Sequence, residues 1–160
     1  MAQRGQETKG DAASGIPSPE DVIGYPVGAE RKIPDWPRMV DYFRRLAAAS
    51  ERVEFEELGR STDDNPLILV TISAPENLAR REEFRAINGK LYDPRETPPG
   101  EVEGLVAAGR SVAMLLCTQH SNELGAALMT LELAHDLATR DDAATRTILA
   151  NTITLIVPCA

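Results

Sequence analysis

His120 and Glu123 stand three residues apart in the run Cys117, Thr118, Gln119, His120, Ser121, Asn122, Glu123. An imidazole nitrogen and a carboxylate oxygen are both ligands of Zn²⁺, and at this spacing across a strand-to-helix turn the two can enter one crevice. Two such ligands make half a site, because a catalytic zinc has three protein ligands plus a water whose pKa it lowers. The same two residues also admit a purely structural reading. His120 would be a polar residue closing a strand, and Glu123 a first-turn carboxylate that complements a helix dipole. The chain has 2 histidines. The other, His135, falls within the following helical pattern near Leu128 and Leu131, several turns from the strand end, and reads as an edge-of-core residue rather than a third ligand.

The elements around the pair can be read from hydrophobic period. Residues 111–118 are nearly all apolar, the pattern of a central strand buried on both faces in a parallel sheet. Residues 123–139 place Leu124, Ala127, Leu128, Leu131, Ala134 and Ala138 on one helical face. A short helix over 142–149 then precedes another apolar strand, Thr152–Val157. Strand, helix, strand is a βαβ unit with a right-handed crossover, and ligands in such sheets bind outside the carboxyl ends of the strands, where His120 and Glu123 lie.

Upstream, Asp35 caps a helix carrying Trp36, Met39, Val40, Phe43, Leu46 and Ala47 at helical spacing, with Pro37 near its first turn. Alternation of Val53 and Phe55 with Glu54 and Glu56 reads as a half-buried strand. Gly59 and a turn at residues 63–66 lead to a second strand over 67–73, an antiparallel hairpin belonging to a larger sheet. Pro75 opens a helix expected to run to about residue 92, burying Leu78, Phe84, Ile87 and Leu91. A proline-rich surface loop over 93–100 and a short helix over 101–108 complete the path to the next strand. The fold class is α/β, with a mixed, largely parallel sheet and helices on both faces. An apolar strand followed by only Pro158, Cys159 and Ala160 leaves that sheet short of neighbours, so the domain is expected to continue past residue 160.

Composition narrows the function classes. The 160 residues carry 17 Lys and Arg against 25 Asp and Glu, a net charge of −8, with 42% hydrophobic residues. Such a chain can bury a core. An acidic balance without a basic stripe argues against a nucleic-acid partner. No apolar run approaches the length of a membrane span, so no membrane partner is expected. Residues 1–18 are polar and Gly/Ser-rich, read as a disordered segment without the apolar centre of a signal peptide. Cys117 and Cys159 are too few for a disulfide framework, lack C-x-x-C spacing, and read as buried strand residues.

Several motifs occur together and in order. Gly59, Arg60 and Ser61 precede the strand from Leu67 to Ile72, and Ser73, Ala74, Pro75, Glu76, Asn77 and Leu78 follow it. Then come His120-x-x-Glu123 and finally Leu155, Ile156, Val157 and Pro158. This series resembles the zinc carboxypeptidase A family of metallopeptidases, in particular its large bacterial members, from about Pro19 to Ala160. By that resemblance residues 19–160 are the amino-terminal part of a carboxypeptidase-like catalytic domain, cut before its third zinc ligand.

The resemblance implies hydrolysis of C-terminal peptide bonds through a zinc-activated water, with zinc as cofactor, His120 and Glu123 as two of its ligands, and the C-terminus of a peptide or protein as partner. It also implies that the third ligand, a histidine, the general-base glutamate and the substrate-clamping arginines lie beyond residue 160. No catalytic residue is assigned in this chain, and the chain alone is expected to be inactive. Asn122 occupies the place where many members carry arginine, so no substrate-binding residue is assigned either. A secreted or periplasmic location is expected by the same resemblance, with a cytoplasmic one as the alternative. Two other functions stay open: a zinc-dependent amide deacylase of the aspartoacylase and succinylglutamate desuccinylase type, and a non-catalytic interaction module indifferent to zinc.

Overall fold

The computed structural model describes residues 15–160 except 94 and 96. The chain enters through Ile16, which packs against the core, and a short helix α1 (Pro19–Ile23). Ser18 and Asp21 close a reciprocal capping box at its start: each side chain accepts from the other's backbone N–H, which satisfies donors the first turn leaves free. Helix α2 (Trp36–Ala49) is capped by Asp35, whose carboxylate accepts the Arg38 N–H at 2.9 Å. Its Tyr42, Phe43 and Leu46 are wholly buried. The indole of Trp36 donates to the Pro66 carbonyl at 3.0 Å and fixes the start of the helix against the sheet.

Strands β1 (Val53–Arg60) and β2 (Pro66–Ile72) form an antiparallel hairpin with a bulge between Glu57 and Gly59. Its turn closes through the Ser61 N–H donating to the Asn65 carbonyl, with Asp64 in the left-handed region at φ 61°. Two helices follow, α3 (Pro75–Ala79) and α4 (Arg81–Tyr92), then a 3₁₀ turn (Pro99–Glu101) and α5 (Val102–Ala108). Strand β3 (Ser111–Leu116), helix α6 (Leu124–Thr139), helix α7 (Ala143–Asn151) and strand β4 (Thr152–Val157) complete the described fold.

The sheet has the order β1-β2-β4-β3. One face carries Ile68, Val70 and Ile72 of β2 with Ile156 of β4, and buries them against α2 and Leu131, Ala134 and Ala138 of α6. Because side chains alternate across a strand, Leu69, Thr71, Ile153 and Leu155 point the other way and line a hollow together with Phe84 of α4. Helices therefore cover both faces, and the chain is α/β with a mixed sheet.

Four expectations change. The sheet is not largely parallel among the described residues: β1 with β2 and β2 with β4 are antiparallel, and only β3 with β4 is parallel. The physical reason is that the hairpin joins the sheet through β2, so only the βαβ unit contributes a parallel pair. Strand β3, expected as a central strand buried on both faces, has β4 as its one neighbour among the described residues, with Val112, Met114 and Leu116 exposed by 46%, 60% and 46% and Leu115 leaning on the core. The helix expected over 75–92 breaks at Arg80, at φ −108° and ψ 16°. Cys159 lies past β4 and is half-buried, whereas Cys117 is buried.

The segment expected to be disordered, 1–18, falls outside the described residues as far as 14. Among the described residues no helix is long and apolar enough to cross a membrane.

Candidate metal site

The candidate site grows out of the end of β3. Beyond Leu116, Cys117 extends the ladder by one residue: its N–H donates to the Val157 carbonyl at 2.9 Å and its carbonyl accepts from the Ala160 N–H at 3.1 Å. Burial raises the Cys117 thiol pKa above its ordinary value. Thr118 then adopts φ 50° and turns the chain out of the sheet. The loop closes on itself where the Glu123 N–H donates to the His120 carbonyl at 3.0 Å, and α6 begins at the next residue.

Within this loop Nδ1 of His120 lies 2.9 Å from Oε1 of Glu123. The second carboxylate oxygen, Oε2, accepts the His120 backbone N–H at 3.1 Å. These bonds lower the Glu123 pKa from its ordinary value: the His120 ring contributes most, then its backbone N–H, with slight desolvation opposing and the Gln119 N–H adding a little. Ionised carboxylate is the form that ligates a metal. Both side chains face solvent, with 74% and 47% of their surfaces exposed, so an ion can reach them without displacing packed groups.

The pair fits part of a zinc shell. Nitrogen and oxygen ligands at about 2.1 Å on a tetrahedral ion are roughly 3.4 Å apart, so the observed pair needs to open by about 0.5 Å. That is a small rotation of exposed side chains. In exchange the ring nitrogen gives up its proton or turns its tautomer, the usual condition for imidazole to ligate. Among the described residues no cluster of three or more His, Cys, Asp or Glu side chains could hold a metal. His135 sits twelve residues further along α6 than Glu123, about 18 Å of helix axis away, and does not join the pair. Asn122 is exposed beside Glu123.

The structure thus brings together the two residues singled out by spacing, at the carboxyl end of a strand and the mouth of a helix. What sequence reasoning did not find is Thr118. A β-branched residue carries no local signal that it will occupy the left-handed region. Behind the loop, Thr118 and Cys159 line a small apolar cavity with Trp36, Met39, Leu124 and Leu128. A surface hollow between α4, α5 and the start of β3 lies at the opposite end of that strand from the ligand pair.

Comparison with known proteins bears on this geometry. The zinc carboxypeptidase family model matches residues 39–160. None of the curated proteins matches the chain in sequence. Among solved structures, carboxypeptidase A from Helicoverpa armigera superposes with a TM-score of 0.53 at 17% identity, over 88% of this chain and 30% of that one. Thrombin activatable fibrinolysis inhibitor superposes with a TM-score of 0.52 at 9% identity, over 89% of this chain and 29% of that one. At such identities the likeness is one of fold, and the chain spans about 30% of the length of these solved structures. The family model covers most of the chain, including the hairpin's second strand, the His120-to-Glu123 loop and β4. The chain belongs to the zinc carboxypeptidase family.

Proposed function

We propose that the protein carrying this chain is a zinc metallocarboxypeptidase that removes residues from the C-termini of peptides or proteins, with His120 and Glu123 as two of the metal's ligands. The observation that carries the reading is the 2.9 Å approach of Nδ1 of His120 to Oε1 of Glu123 at the carboxyl end of β3, inside the stretch matched by the family model. A bound zinc would supply Lewis acidity, polarising a scissile carbonyl and lowering the pKa of a water. The chain's own part is to present one imidazole nitrogen and one carboxylate from a loop anchored at both ends, by Cys117 to β4 and by Glu123 to α6.

With two ligands and no third among the described residues, the chain by itself is proposed to bind zinc weakly and to turn over no substrate. The test is a competition titration of zinc against a chromophoric chelator, on this chain and on His120→Ala, together with a carboxypeptidase assay. The expected result is weak binding lost in the variant and no hydrolysis. Zinc affinity indifferent to the substitution would refute the metal assignment, and turnover by the chain alone would refute its inactivity.

A further inference from the structure

We infer that Thr118 is a positioning residue for the metal pair, acting through the backbone of Glu123; this deepens, and rests on, the reading of His120 and Glu123 as ligands. Three non-glycine residues among those described have positive φ. Arg31 and Asp64 lie in exposed turns, where a left-handed residue is easily accommodated. Thr118 is different, being β-branched, only 9% exposed and two residues ahead of His120. Left-handed backbone is unfavourable for any side chain with a Cβ and most so for a branched one, so it persists only where the surroundings over-determine it.

The surroundings here are specific. Cys117 is fixed on one side by its two bonds to Val157 and Ala160. On the other side the Thr118 hydroxyl donates to the Glu123 carbonyl at 3.3 Å, spanning the whole ligand loop. The same carbonyl accepts the Ala126 N–H at 3.1 Å, the first bond of α6 beyond Glu123. Thr118 therefore does two things at once: its φ turns the chain off the sheet, and its hydroxyl fastens the turn to the first helical bond after the ligand. Both settle where the Glu123 side chain starts, and so how it meets His120. Without the hydroxyl the side-chain link that spans the loop from Thr118 to Glu123 is lost.

The experiment measures two quantities on the chain and its variants: zinc affinity by chelator competition, and thermal unfolding in the presence of EDTA. Thr118→Val keeps the branched shape and removes the hydroxyl. Its zinc affinity is expected to fall roughly tenfold, the lower end of what loss of a ligand-orienting partner costs. Thr118→Ser restores the hydroxyl and is expected to bind within about twofold of the parent. Thr118→Gly removes both the hydroxyl and the conformational cost, so its metal-free melting temperature should hold or rise while its zinc affinity falls. That separation is what a merely structural threonine would not give, since it would move stability and affinity together. Should Thr118→Val fail to fold, the glycine variant still decides. If both the valine and glycine variants bind zinc like the parent while His120→Ala has lost it, the inference is overturned and the metal reading stands. If His120→Ala also binds like the parent, the metal reading fails and the inference with it.

Discussion

Asn77 and Leu149, 72 positions apart, are joined by a buried hydrogen bond: the Asn77 amide Nδ2 donates to the Leu149 carbonyl at 2.9 Å. The same amide reaches the Ala150 carbonyl at 3.1 Å and the Ser73 hydroxyl at 3.1 Å, and its Oδ1 accepts from Nε of Arg110 at 3.2 Å. Ser73 in turn donates to the carbonyls of Leu149 and Thr152. The Asn77 side chain thus satisfies the end of α7 and an approaching guanidinium, while Ser73 reaches the start of β4. Asn77→Ala removes the donor to Leu149 and Ala150 and the acceptor for Arg110, and a typical intramolecular hydrogen bond contributes about 0.5–1.5 kcal/mol. Chemical denaturation of the variant is expected to show a loss of that size with the secondary structure retained. Asn77→Asp should be worse still at neutral pH, because a carboxylate would face carbonyl oxygens. A stability within error of the parent for both would mean that this network does not hold α3 to the end of α7.

Glu123→Gln retains an oxygen to accept the His120 N–H but removes the charge and the second carboxylate oxygen. Since loss of a mere orienting partner costs about 10–100-fold in metal affinity, loss of a ligand is expected to cost at least roughly tenfold. The melting temperature of the metal-free chain should change little, because the side chain is exposed. Isothermal titration with zinc would check both arms, and an affinity equal to the parent's would remove Glu123 from the ligand set.

Tyr42 is wholly buried and its hydroxyl donates to the Leu131 carbonyl at 3.2 Å, tying α2 to α6. Burial, reinforced by the nearby carboxylates of Glu132 and Asp136, pushes its phenol far above the ordinary tyrosine range. The folded protein therefore keeps a proton that the unfolded chain releases above about pH 10, and stability contributed by Tyr42 is present below that value and lost as pH rises beyond it. Tyr42→Phe is expected to cost about 1 kcal/mol at neutral pH for the lost bond. Urea midpoints at about pH 8 and about pH 11 should show the gap between parent and variant narrowing or reversing at the higher value. A gap that widened with pH would contradict the assignment.

The exposed row on β3 makes a prediction about solution behaviour. Val112, Met114 and Leu116 lie along a strand whose outer edge is unpaired among the described residues. Long apolar edges template association, and a single lysine on such a strand is a common remedy. Met114→Lys is expected to raise the monomer fraction in analytical ultracentrifugation. Its effect on unfolding free energy should stay within about 0.5 kcal/mol, as for other exposed positions. Unchanged association would show that this strand is not the sticky surface.

Period and punctuation made much of this molecule legible in its sequence. Strand β4 runs from Thr152 to Val157 as its apolar run indicates, and α6 starts one residue after the expected position, at Leu124. Asp35 caps α2 as its place before a periodic segment suggests. The placement of His120 and Glu123 at a strand end followed from those assignments alone. What could not be read depends on tertiary partners. The break at Arg80 has no glycine or proline to announce it; Asn77 and Ser73 hold α3 to the end of α7, while Phe84 of α4 is wholly buried. The stretch from Ser73 to Leu78, noticed as a motif, is structural support rather than chemistry in this fold. The exposed row on β3 and the left-handed turn at Thr118 are likewise set by what surrounds them.

The fastening of Cys117 to Val157 and Ala160 has a kinetic consequence. The β1–β2 hairpin closes locally, but β2 meets β4 only after more than half the chain has been gathered, and β3 meets β4 only after α6 and α7 have been traversed. Contacts of such sequence separation form late, because their loop-closure entropy is lost before any contact rewards it. His120 and Glu123 hang from that late junction. During refolding, zinc added at the outset should find its ligand pair only once β4 has docked, so the rate of metal capture would time the final step of assembly rather than the encounter with the ion.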